Sequence, residues 1–327
     1  MRAARTLLKV APAMDTAILL RGVAYHIDEI APIERIPALA QDPQLLAAFK
    51  AAGYRSYAHS DRSLAALAIR SAQKTLAAAD LSADDLDAVV IGTSEIREPN
   101  RYPEMLSTEV LTALELSGIP VAGVTLAGCA NFSSSLRVAR NMIIAERLNH
   151  ILVIEADQVR GALERQTFLN NTALGIFADG AASVVVSAER ADGDRASGFE
   201  LVAMAQIVRP IDVSRAPPVE ITKNNFLGFR RVIDEVLDRT GATLTDFAEI
   251  FLSNVGIQFG SATAAMLELP LGSIHMENCS RTAHVWSCDN LINLVDHCAA
   301  RDVPEGALFL MLSQADAYYS AIACRKR

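Results

Sequence analysis

The sequence has few aromatic residues and no excess of basic ones. Aromatic side chains make up 6% of its 327 residues, with a single tryptophan, and 30 Lys and Arg stand against 38 Asp and Glu. The formal net charge of −8 and the lack of a basic, aromatic-rich face argue against a nucleic-acid partner. A hydrophobic fraction of 51% instead predicts an aliphatic globular protein, with one large core or two domains.

Cysteines and long apolar runs are also scarce. The five cysteines are an odd number, which fits reduced thiols better than a disulfide framework. No apolar run approaches the roughly 20 residues that cross a membrane. The apolar run within residues 1–14 is too short and too interrupted for a secretory signal. We therefore expect a cytoplasmic protein with no membrane partner.

Strand-like and helix-like segments alternate through most of the chain, which is typical of a largely buried parallel sheet. In the first half we predict strands at 18–27, 87–93, 121–126, 151–156 and 184–187, and helices at 63–79, capped by Ser60 or Asp61, 104–116 and 129–148. After a polar segment at 189–197, we predict strands at 201–208, 249–254, 307–312 and 318–324, and helices at 221–239, 260–267 and 289–298. This order predicts two similar α/β halves, residues 1–188 and 198–327, that share one core.

Cys129 stands where a predicted strand passes directly into a helix. The helix is indicated by apolar positions at helical spacing, among them Leu136, Ala139 and Ile143. Unpaired N–H groups and the positive end of the helix dipole would favour a thiolate at its start and could hold an anionic oxygen. Buried cysteines are usually inert packing residues, but this turn suits a nucleophile in acyl chemistry.

Two motifs carry a resemblance to a known family. The segment Thr-Leu-Ala-Gly-Cys-Ala-Asn-Phe at 125–132, followed by Phe-Ala-Asp-Gly-Ala-Ala at 177–182, resembles the ketosynthase III (β-ketoacyl-acyl-carrier-protein synthase III) branch of the thiolase superfamily. The resemblance implies a five-layered αβαβα fold of two pseudo-duplicated halves, and a homodimer. It also implies a cysteine, matched by Cys129, that accepts an acyl group from a coenzyme A or acyl-carrier-protein thioester, with no permanently bound cofactor.

The other two catalytic positions of the family are exchanged in this chain. Asn254 ends a predicted strand where the family has a histidine, and His284 precedes a predicted helix where the family has an asparagine. The resemblance therefore implies that His284 activates Cys129 and that Asn254 donates to a thioester or enolate oxygen. As a structural alternative, Asn254 could only cap the turn before Gly256.

Two further segments depart from the family. Residues 312–316 replace its glycine-rich loop, and residues 41–62 lack its tryptophan pattern for coenzyme A, which favours delivery of the acyl group by a carrier protein. We expect a Claisen condensation in specialised metabolism, with two alternatives: acyl transfer to a hydroxyl or amine, and a non-catalytic subunit paired with a homologous subunit. The spacing of Cys279, His284 and Cys288 matches no standard zinc motif, so no metal is predicted.

Overall fold

The computed structural model describes residues 17–94, 103–159, 166–169, 173–189, 197–212 and 215–327. The strands are β1 (Ile18–His26), β2 (Glu29–Pro32), β3 (Ser56–His59), β4 (Ala88–Gly92), β5 (Val121–Val124), β6 (His150–Asp157), β7 (Gln166–Leu169), β8 (Ala173–Ile176), β9 (Gly180–Ala188), β10 (Phe199–Val208), β11 (Phe247–Leu252), β12 (Ile274–His275), β13 (Leu308–Ala315) and β14 (Tyr318–Lys326). The helices are α1 (Pro37–Gln41), α2 (Pro43–Ala51), α3 (Leu64–Ala79), α4 (Pro103–Ala113), α5 (Asn131–Glu146), α6 (Pro218–Thr240), α7 (Ile257–Met266) and α8 (Asp289–Ala300).

The strand order repeats between the two halves of the chain. Ten strands are hydrogen bonded in the order β12-β11-β13-β14-β10-β1-β9-β6-β4-β5. In the first half β4 runs parallel to β5 and β6, while β9 is antiparallel to β6 and β1. In the second half β11, β12, β13, β14 and β10 repeat these relations. The predicted pseudo-duplication is therefore present in the topology.

Three apolar clusters separate five layers. The central cluster contains residues of α5 and α8, such as Leu136 and Leu291, together with strand residues of both halves. A second cluster packs α3 and α4 on the outer face of the first-half strands, and a third packs α6 and α7 on the outer face of the second-half strands. The order is thus αβαβα, which confirms the predicted fold class.

The halves are joined at their first strands. β1 and β10 pair antiparallel, with Leu19 opposite Glu200 and Leu20 opposite Phe199. The predicted boundary between the halves falls mainly on residues 190–196, which lie outside the described residues. Within the described residues, no helix has both the length and the apolar character needed to cross a bilayer.

Local capping differs from the prediction for α3. This helix begins at Leu64, and the hydroxyl of Ser63 accepts a hydrogen bond from the backbone N–H of Ala66. Ser63 is in the extended conformation of an N-cap residue, whereas the hydroxyl of Ser60 donates to Asp28 at 2.5 Å. The prediction that Ser60 or Asp61 caps this helix was therefore wrong by two or three positions.

Candidate active site

The turn that carries Cys129 is built by backbone contacts at the entrance to α5. Gly128 has φ +50°, in the left-handed region that glycine adopts most readily, and a 3-10 turn covers Gly128–Ala130. The side-chain oxygen of the buried Asn131 accepts from the backbone N–H of Ala127 at 3.0 Å. Cys129 is half-buried. The predicted strand-to-helix turn is present, and the thiol lies just before the first turn of α5.

His284 lies on a loop that is fixed through its backbone. Its N–H donates to the carbonyl of Ile176, and its carbonyl accepts from the N–H of Ala178. The loop residues Ala283 and Trp286 have φ values of +57° and +50°, which non-glycine residues adopt only when their surroundings impose them. The packing of this loop therefore determines where the imidazole lies.

The structure brings Cys129 and His284 together. Sγ of Cys129 and Nε2 of His284 are 2.9 Å apart. On the other side of the ring, Nδ1 of His284 lies 2.5 Å from Oδ2 of Asp289. His284 and Asp289 are only 2% and 1% exposed, so water does not screen these contacts. The thiol, the imidazole and the carboxylate are thus connected in one line, which is the arrangement in which a histidine can activate a cysteine.

The sequence analysis missed Asp289 as a site residue. Asp289 is the first residue of α8, and its Oδ1 also accepts from the backbone N–H of Val285 at 2.7 Å. The carboxylate therefore orders the loop as well as the ring. Its presence five residues after a candidate base was the available signal, but the sequence reading used Asp289 only to locate the start of a helix.

The charges around His284 favour its protonated form. Burial lowers the pKa of His284, but the Cys129 sulfur and the Asp289 carboxylate together outweigh burial and leave this pKa well above its ordinary value. A thiolate beside an imidazolium is the reactive form of a cysteine nucleophile. The geometry is therefore that of a Cys–His pair whose imidazole is oriented by an aspartate.

Asn254 lies against the same carboxylate, but through its backbone. Its N–H donates to Oδ2 of Asp289 at 2.7 Å, and its side-chain oxygen accepts from Nδ2 of Asn293 at 3.2 Å. The Nδ2 atom of Asn254 is buried and has no hydrogen-bond partner in the described part of the chain. The backbone of Asn254 is therefore tied to Asp289, and its side chain retains one donor that is not used within the described residues.

Two buried carboxylates lie behind the His284 loop. The hydroxyl of Ser287, three residues after His284, contacts Glu155 at 2.7 Å and Asp157 at 3.2 Å. Burial raises the pKa of Glu155 to about 8 and that of Asp157 to about 7. The two groups therefore hold protons near neutral pH, which reduces the repulsion between neighbouring carboxylates.

The end of β13 lies between the Cys129 turn and a cavity. A Cβ on Gly128 would lie 3.0 Å from the Cβ of Ala315, so β13 passes directly beside the turn. The neighbouring Gln314 donates to Asn225 at 2.9 Å, and Asn225 lines a cavity of about 570 Å³ between α6 and α7. The cavity wall also includes Phe226, Phe229, Phe259 and Met266. Gln314 and Ala315 thus contact a cavity residue and the Cys129 turn, respectively.

The three residues weighed as a zinc motif do not form a metal site. The ring of His284 contacts Cys129 and Asp289, and the thiol of Cys288 donates to the carbonyl of Glu155. Burial raises the pKa of Cys279 to about 12, which keeps it a thiol. All five cysteines are free.

Comparison with known proteins gives matches that include the nucleophile segment. The family model described as 3-Oxoacyl-[acyl-carrier-protein (ACP)] synthase III matches residues 125–205. A beta-ketoacyl-[acyl-carrier-protein] synthase III of Psychromonas ingrahamii is 31% identical over 139 residues, which cover 42% of this chain and 41% of that protein. The chain therefore spans about two fifths of the length of this curated relative in the alignment.

Solved structures match over almost the whole chain. ChlB3, described as an acyltransferase, has a TM-score of 0.80 at 18% identity and covers 95% of this chain and 98% of its own. The 3-oxoacyl-(acyl carrier protein) synthase III FabH of Pseudomonas aeruginosa PAO1 has a TM-score of 0.74 at 18% identity, with the same coverage. The fold is thus thiolase-like. In sequence, the chain is similar to 3-oxoacyl-[acyl-carrier-protein] synthase III proteins over a segment that includes Cys129.

Proposed function

We propose that this protein is an acyltransferase that carries the acyl group on Cys129 and passes it to a hydroxyl or amine. The observation that carries the proposal is the Cys129–His284–Asp289 line, with contacts of 2.9 and 2.5 Å. A cysteine paired with an oriented histidine is a nucleophile that forms covalent acyl intermediates. The names of the relatives, which are beta-ketoacyl-[acyl-carrier-protein] synthases III, support a thioester donor.

In the first half-reaction, the Cys129 thiolate attacks the carbonyl carbon of an acyl thioester. The tetrahedral intermediate collapses, the bond to the donor sulfur breaks, and the released thiolate takes the proton from Nε2 of His284. The acyl group is then bound to Cys129, and His284 is neutral with its Nδ1–H still donated to Asp289. The positive end of α5 stabilises negative charge beside the sulfur during this step.

In the second half-reaction, Nε2 of His284 no longer faces a thiolate and is free to accept a proton. The acceptor hydroxyl or amine gives its proton to this nitrogen as its oxygen or nitrogen attacks the acyl carbon, and the Cys129 thiolate leaves. Asp289 keeps the ring in the tautomer whose lone pair is on Nε2 and stabilises the imidazolium that forms. A buried aspartate behind the histidine therefore favours an acceptor that must lose a proton.

A Claisen condensation is the second candidate, and Asn254 is the observation in its favour. A decarboxylating malonyl-type thioester would supply a carbon nucleophile without loss of a proton to a base, but its enolate oxygen would need hydrogen-bond donors. The unpartnered Nδ2 of Asn254 is a donor that this site would offer, and Nε2 of His284 would be a second one only while the ring is protonated. This route would form a new carbon–carbon bond and release carbon dioxide.

The apolar cavity between α6 and α7 supports a donor with a long, flexible arm. Its volume of about 570 Å³ lies within the range of small-molecule sites, and Gln314 and Ala315 link it to the nucleophile turn. We propose that the thioester arm of coenzyme A or of an acyl carrier protein enters along this cavity. A homodimer in the cytoplasm, acting in specialised metabolism, completes the proposal on the basis of the family resemblance.

The test is intact-protein mass spectrometry of the wild type after incubation with acyl-coenzyme A and acyl-carrier-protein donors. We expect one acyl adduct on the wild type, none on Cys129→Ala, and an unchanged adduct on Cys298→Ala, which removes a different half-buried thiol. No adduct from any donor would overturn the proposal and favour the non-catalytic subunit.

The acceptor is then identified from the isolated acyl-enzyme. Loss of the adduct to a panel of hydroxyl and amine acceptors, with formation of the ester or amide, is the expected result. Loss only to malonyl thioesters, with release of carbon dioxide, would instead establish the Claisen reaction.

A further inference from the structure

Three side chains with metal-binding atoms meet at the edge of the second-half strands, outside the candidate active site. They are Glu249 on β11, His275 on the edge strand β12 and His297 on α8. One ligand atom from each lies within 4.8 Å of the other two. These residues are far apart in the sequence, so no spacing motif could have indicated the group.

Aromatic packing fixes the two imidazole rings. Phe251 contacts both rings edge to face, with centroid distances of 5.4 Å to His275 and 5.5 Å to His297. Phe309 packs against His297 in the same way at 5.7 Å. The two histidines are 4% and 5% exposed. The rings are therefore held in place by an apolar wall, as the ligands of a preorganised site are.

One polar atom of the group has no partner. Nε2 of His275 is buried and makes no hydrogen bond with the described residues. An unpaired buried nitrogen costs free energy that an ordinary core position would avoid with an apolar side chain. A bound cation at this nitrogen would remove that cost.

The imidazole of His297 contacts two charged side chains. Nδ1 of His297 lies 3.3 Å from Oε2 of Glu249 and 3.1 Å from Nη1 of Arg301. Arg301 also forms an ion pair with Glu277. Without a metal these contacts form a hydrogen-bonded cluster. With a metal, Arg301 would leave His297 and keep Glu277.

We propose that Glu249, His275 and His297 bind a divalent transition-metal ion, with zinc as the best-fitting metal. Two imidazoles and one carboxylate form a known zinc ligand set that leaves a fourth position for water. Tetrahedral bonds of about 2.0 Å place ligand atoms about 3.3 Å apart. The present separations of up to 4.8 Å therefore shorten when the ion binds.

At this position a metal would act on the candidate active site only through the elements that it joins. A metal would tie β11 to α8, and these two elements also position Asn254 and Asp289 of the candidate active site. His297 lies eight residues after Asp289 on the same helix, so the two sites are about 12 Å apart along its axis. Metal binding would thus stabilise the elements that hold the aspartate without entering the reaction.

The first experiment titrates Zn²⁺ alone into tag-free Cys129→Ala protein in the presence of a chromophoric chelator. The Cys129→Ala background removes the reactive thiol as a competing ligand. We expect one zinc per chain and a rise in Tm of roughly 4 °C at a free zinc concentration about 100-fold above Kd. Failure to bind stoichiometric zinc would overturn the proposal.

Variants then assign the ligands. His275→Gln and Glu249→Gln are expected to lower zinc affinity by more than about tenfold, while His150→Gln, a histidine bonded to Ser187 outside the group, leaves it unchanged. Equal affinity in all three would contradict the assignment.

A spectroscopic measurement avoids the risk that a variant fails to fold. Cobalt bound to the unaltered group should give the intense visible bands of a four-coordinate site without a sulfur-to-metal charge-transfer band. A sulfur band or a weak six-coordinate spectrum would overturn the proposal. None of these readouts uses acyl transfer, so they stand or fall independently of the proposed function.

Discussion

Oδ2 of Asp289 lies 2.5 Å from Nδ1 of His284, and both side chains are buried. The same oxygen accepts the backbone N–H of Asn254 at 2.7 Å. One atom therefore fixes the orientation of the candidate base and the end of the strand that carries the third predicted residue. The loop between His284 and Asp289 cannot move without disturbing both contacts.

Replacing Asp289 by Asn should reduce acyl transfer while leaving the acyl-accepting cysteine present. The amide removes the negative charge that helps to raise the pKa of His284, so the imidazolium becomes less stable and the base loses its fixed tautomer. We expect a loss in kcat of about 10²- to 10⁴-fold, measured as transfer to the acceptor under saturating donor.

The matched control for this variant is Asp296→Asn on the same helix. Asp296 accepts from Tyr25 and Asn278, and within the described residues it makes no hydrogen bond with His284. The substitution Asp296→Asn should therefore change Tm more than kcat. Similar kcat losses in both variants at equal Tm would contradict an orienting role for Asp289.

The pair of Glu155 and Asp157 should make stability depend on pH. In the unfolded chain Glu155 has an ordinary pKa, while burial raises it to about 8 in the folded protein, so the folded state binds the extra proton between these values. The free energy of unfolding should therefore fall as pH rises from about 5 to about 8. Urea unfolding of Glu155→Gln across this range should show a weaker decline, because the amide does not ionise.

Glu220→Gln is the control for that measurement. Glu220 is exposed in the first turn of α6, and the substitution makes the same chemical change on the surface. Its pH profile should follow the wild type. If Glu155→Gln declines as steeply as the wild type, the buried carboxyl does not carry the pH dependence.

Two helical glycines should respond differently to alanine. A Cβ at Gly228 would lie 2.5 Å from the ring of Tyr319, whereas a Cβ at Gly260 would lie 2.6 Å from Sδ of Met276. The buried ring has little room to move, so Gly228→Ala should be destabilising by about 1–3 kcal/mol despite its better helix propensity.

Gly260→Ala serves as the comparison, because the flexible Met276 side chain can turn aside. Its free energy of unfolding should stay within about 1 kcal/mol of the wild type. Chemical denaturation of both variants measures the difference, and an equal loss would show that the Tyr319 ring adapts as readily as Met276.

Filling the cavity between α6 and α7 should weaken donor binding. Ala262 lines this cavity, so an indole at this position would occupy part of its volume. Ala262→Trp should raise the donor KM by about tenfold or more, with a smaller effect on the rate of acylation at saturation. Ala265→Trp, on an exposed position of the same helix, should leave KM unchanged. An unchanged KM in Ala262→Trp would place the donor elsewhere.

The repeated order of elements and the position of Cys129 could be predicted from the sequence, because both follow from local patterns. Apolar spacing indicated the helix after Cys129, and the motifs around Cys129 and Asp179 indicated the family. The prediction that His284 belongs to the site required the family resemblance as well. Its contact with Cys129 links residues 155 positions apart, which periodicity alone does not reveal.

Contacts that depend on tertiary packing could not be predicted. Asp289 resembled an ordinary acidic residue at a helix start, and only its contact with His284 shows its position in the site. Glu155 lay in an apolar strand, where its burial beside Asp157 depends on how the His284 loop folds over β6. The proposed zinc ligands lie on two strands and a helix, so no local sequence pattern predicts them.

The N-termini of the two central helices lie at the candidate active site. α5 begins beside Cys129 and α8 begins with Asp289, so the positive ends of both helix dipoles lie at the reacting groups. In the proposed reaction, the thiolate, the imidazolium and the carboxylate sum to one negative charge before acylation. After acylation, the neutral thioester and neutral His284 leave the same single charge on Asp289. The reaction thus moves protons and an acyl group without changing the charge that the helix ends must balance, and the protein need not reorganise its dipoles between the two half-reactions.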